Sequence, residues 1–222
     1  MDEMSNARLI KKGAEASLFL ATWHERNVII KKRLPKKYRP QLLDEQIRNY
    51  RTIHEPQLIH EAKKAGVPTP TIYLVDLMDS TIIMEFIEGK QLKEILNTTT
   101  KNEREELCRT VGNLIGRLHK WGIVHGDLTT SNMILSRPND RVYFVDFGLG
   151  EKKTDLEARG VDLHLMKRAF RSVHFKWADE CFEAVFVGYR EIFQKKVAED
   201  VLQKIGEIER RGRYIAERVA KD

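Results

Sequence analysis

At 222 residues and 41% apolar content the chain can bury one proper core, as a single compact unit with no internal repeats and no low-complexity linker. A net charge of +6 is compatible with salt-sensitive attraction to RNA, and no apolar stretch approaches the length of a bilayer span, so no membrane partner is expected. The start Met1–Asn6 lacks a basic, then apolar, signal pattern, and Cys108 and Cys181 lie far apart without common zinc-ligand spacing; both point to a reducing, cytoplasmic setting with core thiols.

In chain order, residues 9–20 read as strand, tight turn and strand around Gly13, and Val28–Lys31 as a further strand. A helix-forming stretch covers 41–65, with an expected break or restart at Pro56, because proline removes a backbone donor and restricts the residue before it. Thr81–Phe86 reads as a buried strand that runs into a connector over 87–90. Beyond it the pattern turns helical. Asn102–Lys120 is the clearest amphipathic segment, with Leu107, Val111, Leu114, Ile115 and Leu118 at core spacing. Helices should fill most of 155–221, with Gly160, Gly188, Gly206 and Gly212 marking breaks or close contacts. The expected class is therefore α+β in two lobes: strand-rich over 1–86, a hinge at 87–90, and helical over 91–222 with a basic C-terminal tail.

The most chemical segment lies between the helices. Residues 133–135 and 141–145 are apolar and partly β-branched around the turn-forming Arg137–Asp140, which makes a tight antiparallel hairpin. A hairpin centred near Pro138 and Asn139 sets Asn132 opposite Val145 and so beside Asp146. An amide oxygen and a carboxylate at neighbouring strand ends are hard ligands suited to Mg2+, or Mn2+, that keeps other positions for water and phosphate oxygens. Asp127, five residues before Asn132, sits on the loop that feeds the hairpin and can face a metal-bound phosphate, orienting an acceptor and taking its proton.

The runs His125-Gly126-Asp127-Leu128-Thr129-Thr130-Ser131-Asn132 and Asp146-Phe147-Gly148 resemble the catalytic loop and metal signature of protein kinases. That resemblance implies ATP as the bound nucleotide, Asp127 as the catalytic residue, and Asn132 and Asp146 as metal ligands. It implies further that Lys31 contacts the phosphates, chosen over Lys32 because strand alternation sends the two to opposite faces. Gly13, Ala14, Glu15, Ala16 and Ser17 would form the phosphate-covering loop, which keeps one glycine of the usual three. Glu55 would pair with Lys31, with Glu61 as the alternative, and the backbone of Glu85 and Ile87 would meet the adenine edge beside Met84. Departures are equally specific. Gly126 stands where kinases carry an arginine, about a dozen residues separate Gly148 from Gly160, and there is no A-P-E sequence, so the fold should be a minimal kinase-like one lacking the activation segment. Asp162 would brace the catalytic loop, and His119 and His125 would have core or loop-bracing roles.

Taken together, HGDLTTSN, DFGLG, GVDLHLMKRAF with the following Ser-Val-His, IIKKRLPKKYRP and the late Arg-Arg-Gly-Arg resemble the small atypical serine/threonine kinase subunit of the KEOPS complex, across nearly the whole chain. The resemblance implies ATP hydrolysis or phosphotransfer in an assembly that makes threonylcarbamoyl-adenosine in tRNA. Its partners would be the metal-containing transferase subunit on the helical lobe, a small subunit on the strand-rich lobe, and tRNA. Six of the nine residues Lys31–Arg39 are basic, and this run and Arg210, Arg211 and Arg213 would face tRNA or a partner. Two other readings stand beside this one: a free-standing small-molecule kinase of the aminoglycoside or lipopolysaccharide type, and a catalytically silent scaffold.

Overall fold

The structure, a computed structural model, describes residues 4–219, with side chains described from Ser5 to Arg211. Strands β1 (Met4–Lys12), β2 (Ser17–Trp23) and β3 (Arg26–Lys32) form a meander; helix α1 (Gln41–Lys64) follows, and then β4 (Ile72–Asp76) and β5 (Thr81–Glu85). They close one antiparallel five-stranded sheet in the order β1-β2-β3-β5-β4. β5 lies inside this sheet, and Thr81–Met84 are all buried, which is why the segment reads as a continuous apolar run. In register, Lys31 sits between Leu18 of β2 and Ile82 of β5, mid-sheet.

The expected break at Pro56 does not occur. α1 is one helix of 24 residues with Pro56 inside it. The ring removes one donor and crowds the Thr52 carbonyl, at a cost of about 3 kcal/mol. Packing on both sides of the proline offsets that cost: Thr52 and Glu55 are buried toward β3, while Leu58, Ile59 and Ala62 enter the main core with Leu118, Ile123 and Phe147. The division of the chain at residue 86 is therefore not a division of the core, since the second half of α1 and Val67 belong to the helical lobe's apolar cluster.

The connector leads into β6 (Gly89–Gln91), the short α2 (Leu92–Ile95), α3 (Lys101–Lys120) and β7 (Ile123–Val124). A 3-10 turn at Thr130–Asn132 precedes β8 (Met133–Ser136) and β9 (Val142–Phe144). β10 (Glu151–Lys152), α4 (Leu156–Val173), α5 (Ala178–Arg190) and α6 (Lys195–Val219) complete the chain. The predicted hairpin gains a third strand, because β6 pairs with β8, and β10 returns to pair with β7. α3 starts at a capping box, in which Thr100 Oγ1 accepts from the Glu103 amide while the Glu103 carboxylate accepts from the Thr100 amide. Val111, Leu114, Ile115 and Leu118 are buried as their spacing predicts, and Leu107 packs against them half-buried.

Gly160, Gly188 and Gly206 all lie within helices, so none breaks one; only the first two are close-contact points. Gly212 lies beyond the described side chains. At the crossing of α3 and α5 each helix offers a glycine to the other's backbone. A Cβ on Gly112 would lie 1.8 Å from the Val185 carbonyl oxygen, and one on Gly188 would lie 1.9 Å from that of Arg109. Cys108 and Cys181 are buried and free on these same two helices. Among the described residues no helix is long and apolar enough to cross a membrane.

This crossing reverses an ordinary substitution. Gly→Ala inside an exposed helix stabilises by up to about 1 kcal/mol, whereas Gly112→Ala must push α5 away and should destabilise by about 2 kcal/mol or more in urea unfolding. A neutral or stabilising result would show that the helices do not approach this closely.

Candidate active site

The hairpin sets the geometry. Met133 faces Phe144 and Leu135 faces Val142, and the Val145 amide donates to the Asn132 carbonyl at 3.0 Å, so Asn132 lies opposite Val145 and beside Asp146. Asn132 Nδ2 donates to the Asp127 carbonyl at 3.0 Å and to Asp127 Oδ2 at 2.8 Å, which turns the amide nitrogen toward the loop and leaves Oδ1 as the hard donor. Asp146 is held with φ +65, a left-handed conformation uncommon for a residue with a side chain, and its Oδ1 accepts from Lys31 Nζ at 2.6 Å. Asp127, Asp146 and Lys31 line one cleft together with Gly13, Ala14, Glu15 and Ala16. A contiguous cavity, lined by Ile29, Met84, Glu85, Ile87, Asn132 and Asp146, continues beneath the sheet.

Lys31 is the centre of the charge arrangement. Its ammonium donates to Glu55 Oε1 at 2.7 Å as well as to Asp146, and Arg33 donates to the other Glu55 oxygen and, at 3.3 Å, to Thr52 Oγ1. Lys31, Arg33 and Glu55 are each at most 6% exposed, so each depends on the others for compensation. Burial alone would lower the Lys31 pKa, but the carboxylates of Glu55 and Asp146 outweigh it and the repulsion of Arg33, leaving it raised. Burial would likewise raise Asp146; the charge and hydrogen bond of Lys31, with smaller help from His125 and the Gly148 amide, bring it down to about 2.

The loop carrying Asp127 is fixed from below. Asp162 on α4 accepts from the His125 amide at 2.7 Å and the Gly126 amide at 2.9 Å, and its Oδ2 lies 3.1 Å from His119 Nε2. His119 Nδ1 meets the Tyr189 hydroxyl at 3.0 Å, so α3, α4 and α5 brace the loop through one buried chain of polar groups. His125 Nδ1 accepts from the Asp127 amide at 3.3 Å, which makes Nε2, 3.2 Å from the Val145 carbonyl, the donor. A second support runs from Thr130 to His174 Nε2 at 3.0 Å and from His174 Nδ1 to Asn97 Oδ1 at 2.8 Å.

Several residues lie elsewhere than expected or do something else. Ser17 is buried in β2 and does not line the cleft. Glu61 lies six residues beyond Glu55 and binds the Trp121 indole and Lys64, which hold its carboxyl at about 2, so of the two glutamates Glu55 meets Lys31. The Glu85 amide already donates to the Thr71 carbonyl at 2.8 Å, so the amide expected at the adenine edge is taken up within the sheet region. The basic run is less exposed than its composition suggests: Lys31 and Arg33 are buried and ion-paired, and Lys32 is bridged to Asp79. Arg210 and Arg211 are exposed, while the Arg213 side chain lies outside the described residues. Sequence reasoning missed Arg33 and Arg51. Strand alternation from Lys31 points to the first, and the i, i+4 spacing to Glu55 points to the second.

Among the described residues no group of three or more His, Cys, Asp or Glu side chains could hold a metal ion unaided. One amide oxygen and one carboxylate fit magnesium that takes its remaining ligands from phosphates and water.

The sequence pattern of the lipopolysaccharide kinase (Kdo/WaaP) family matches residues 11–189. Among curated relatives, the KEOPS complex subunit Bud32 of Pyrococcus abyssi is 48% identical, covering 93% of this chain and 96% of its own. The EKC/KEOPS complex subunit bud32 of Dictyostelium discoideum is 35% identical over 92% and 82% of the two chains. A probable bifunctional tRNA threonylcarbamoyladenosine biosynthesis protein of Methanothermobacter thermautotrophicus is 43% identical over 93% of this chain, which spans 36% of that longer protein. The crystal structure of Rio2 kinase from Chaetomium thermophilum, as an ADP/Mg2+-phosphoaspartate complex, superposes with a TM-score of 0.63 at 15% identity, over 92% of this chain and 70% of its own.

The Lys31–Asp146 contact carries a signature in acid. The Asp146 carboxyl is lowered from 3.8 to about 2, so its ionised form favours the folded state above pH ~4, and that contribution disappears as pH falls toward 2. Asp146→Asn has no such titration. Its melting temperature should therefore fall less steeply than the wild type's between pH 4 and 2; parallel curves would remove Asp146 from the ion network.

Proposed function

Because the chain belongs to the family of the KEOPS complex subunit Bud32, we propose that it is the ATP-dependent kinase or ATPase of a KEOPS assembly that forms threonylcarbamoyl-adenosine in tRNA. One observation carries the catalytic part: Lys31, Asp127, Asn132 and Asp146, from three separate stretches of chain, converge on adjoining walls of one cleft.

The roles follow from position and charge. The cavity below β1–β3 takes adenine, with the Glu85 carbonyl and the Ile87 backbone at its edge and Met84 alongside. Lys31, kept charged and oriented by Glu55, contacts the phosphates. Asn132 Oδ1 and Asp146 would hold magnesium, whose charge would offset that of the phosphates. Asp127, oriented by Asn132, accepts the proton of the attacking hydroxyl as the oxygen–phosphorus bond forms, the bond to the bridging oxygen breaks and ADP departs. The acceptor is water or a serine or threonine hydroxyl. Water is favoured by the short course from Gly148 to α4, taken up by β10 against β7, which leaves little platform for a peptide.

Membership in an assembly is supported by exposed apolar side chains on both lobes. Leu42, Leu43, Tyr50 and Ile53 lie along the first half of α1, where the small subunit would dock, and Val161, Val173, Phe175 and Val187 on α4, α5 and the link between them, where the transferase subunit would dock. The cytoplasm is compatible with this reading. The small-molecule kinase reading has the Kdo/WaaP match in its favour, but α5 packs on α3 and α4, and α6 on α4, with no further helical insert, among the described residues, to wall an acceptor pocket.

Two tests follow. Asp127→Asn keeps the bond partner of Asn132 but cannot take a proton, so ATP turnover should drop at least about a hundredfold with the melting temperature little changed; undiminished turnover rejects the role. Charge reversal of Arg210, Arg211 and Arg213 to glutamate should weaken tRNA binding by the assembled complex and flatten its salt dependence. Unchanged binding would take the tail out of the RNA interface.

A further inference from the structure

The phosphate-side cleft holds one ion pair that the roles above leave unused. Glu15, on the turn between β1 and β2, accepts from Arg51 Nη1 at 2.6 Å and from Arg39 Nη2 at 3.1 Å. Glu15 and Arg51 both line the cavity with Lys31, Arg33, Asp127 and Asp146. The cations around it differ in what holds them. Lys31 and Arg33 are buried and anchored to Glu55 on α1, and Arg39 is shared with Asp44. Arg51 has Glu15 as its ion-pair partner among the described residues, and Glu15 sits on a turn rather than within an element. Arg51 itself is firmly placed, one helical turn before Glu55 on the same face of α1.

We propose that Arg51 is a ligand of the nucleotide's terminal phosphate and that Glu15 is its built-in competitor: a nucleoside triphosphate exchanges the Glu15 carboxylate for its outermost phosphate at Arg51. This rests on the phosphotransferase reading above and deepens it. Both side chains of the pair keep substantial solvent access, 23% for Arg51 and 41% for Glu15, so the pair is weak and exchangeable. A terminal phosphate carries more charge than a carboxylate and offers the guanidinium two parallel acceptors. A diphosphate, shorter by that group, does not displace Glu15. The pair therefore discriminates ATP from ADP, and after transfer Glu15 returns to Arg51 and helps ADP leave.

Titration calorimetry on the full chain with Mg2+ tests this, using a non-hydrolysable ATP analogue and ADP as the two ligands. Arg51→Gln should weaken the analogue by about tenfold or more and ADP by less than about twofold, and Arg51→Lys should recover part of the loss. Glu15→Gln should tighten the analogue and leave ADP unchanged. Equal losses for both ligands in Arg51→Gln would overturn the proposal, as would weaker analogue binding in Glu15→Gln, which would make Glu15 a latch that shapes the loop. If the wild-type protein binds neither ligand, the phosphotransferase reading fails and takes this one with it, a result distinct from equal losses.

Discussion

The buried contact between Lys31 and Glu55 ties together three separate parts of the chain. Lys31 belongs to the middle of the sheet and Glu55 to the middle of α1, while Asp146, at the end of the hairpin, reaches the same ammonium. A lone buried cation or carboxylate would cost several kcal/mol. Here the costs are shared, because Glu55 is flanked by two cations and Lys31 by two carboxylates, and the four charges sum to zero. The arrangement works only if α1 is continuous past Pro56, since the part before the proline presents Glu55 to the sheet and the part after it is packed into the helical core. The cleft is thereby fixed by core packing as well as by charge.

The loop that carries Asp127 has a different anchorage, and it explains a glycine visible in the sequence. Kinases that grip a phosphorylated segment do so with an arginine before the catalytic aspartate; the residue there is Gly126, with φ +77. A Cβ on it would lie 2.1 Å from the Leu149 carbonyl oxygen, so the short segment after Asp146 runs directly over the loop backbone and no side chain fits between. Loss of the arginine and loss of the long segment are one structural fact. With the loop amides held by Asp162, Asp162 by His119 and His119 by Tyr189, the backbone that carries Asp127 is fixed by the fold itself.

What could be read in the sequence was local. The pairing of Asn132 with Val145 follows from counting along one hairpin, whereas the pairing of Lys31 with Glu55 is implied by the resemblance to kinases, which leaves Glu61 as the alternative. What could not be read depended on distant partners. Pro56 looks like a helix break until its helix is known to be held at both ends, and the run Lys31–Arg39 looks like a basic surface until Glu55 and Asp79 are known to take up half of it. The glycines of α3 and α5 failed as break signals for the same reason, since their role is to admit another helix's backbone. Tyr189 gave no local sign of its part in bracing the loop.

α1 also joins the cleft to the outside. Its inward face carries Arg51 and Glu55, and its first half exposes Leu42, Leu43, Tyr50 and Ile53 to solvent. Because the helix is one rigid body through Pro56, a partner seated on that apolar face bears on the same element that sets Lys31 and the Glu15–Arg51 pair. The opposite end is fixed in the helical core and resists sliding. A rigid helix held at that end can only pivot about it, and a pivot displaces Arg51 more than Glu55, which lies four residues closer to the anchored end.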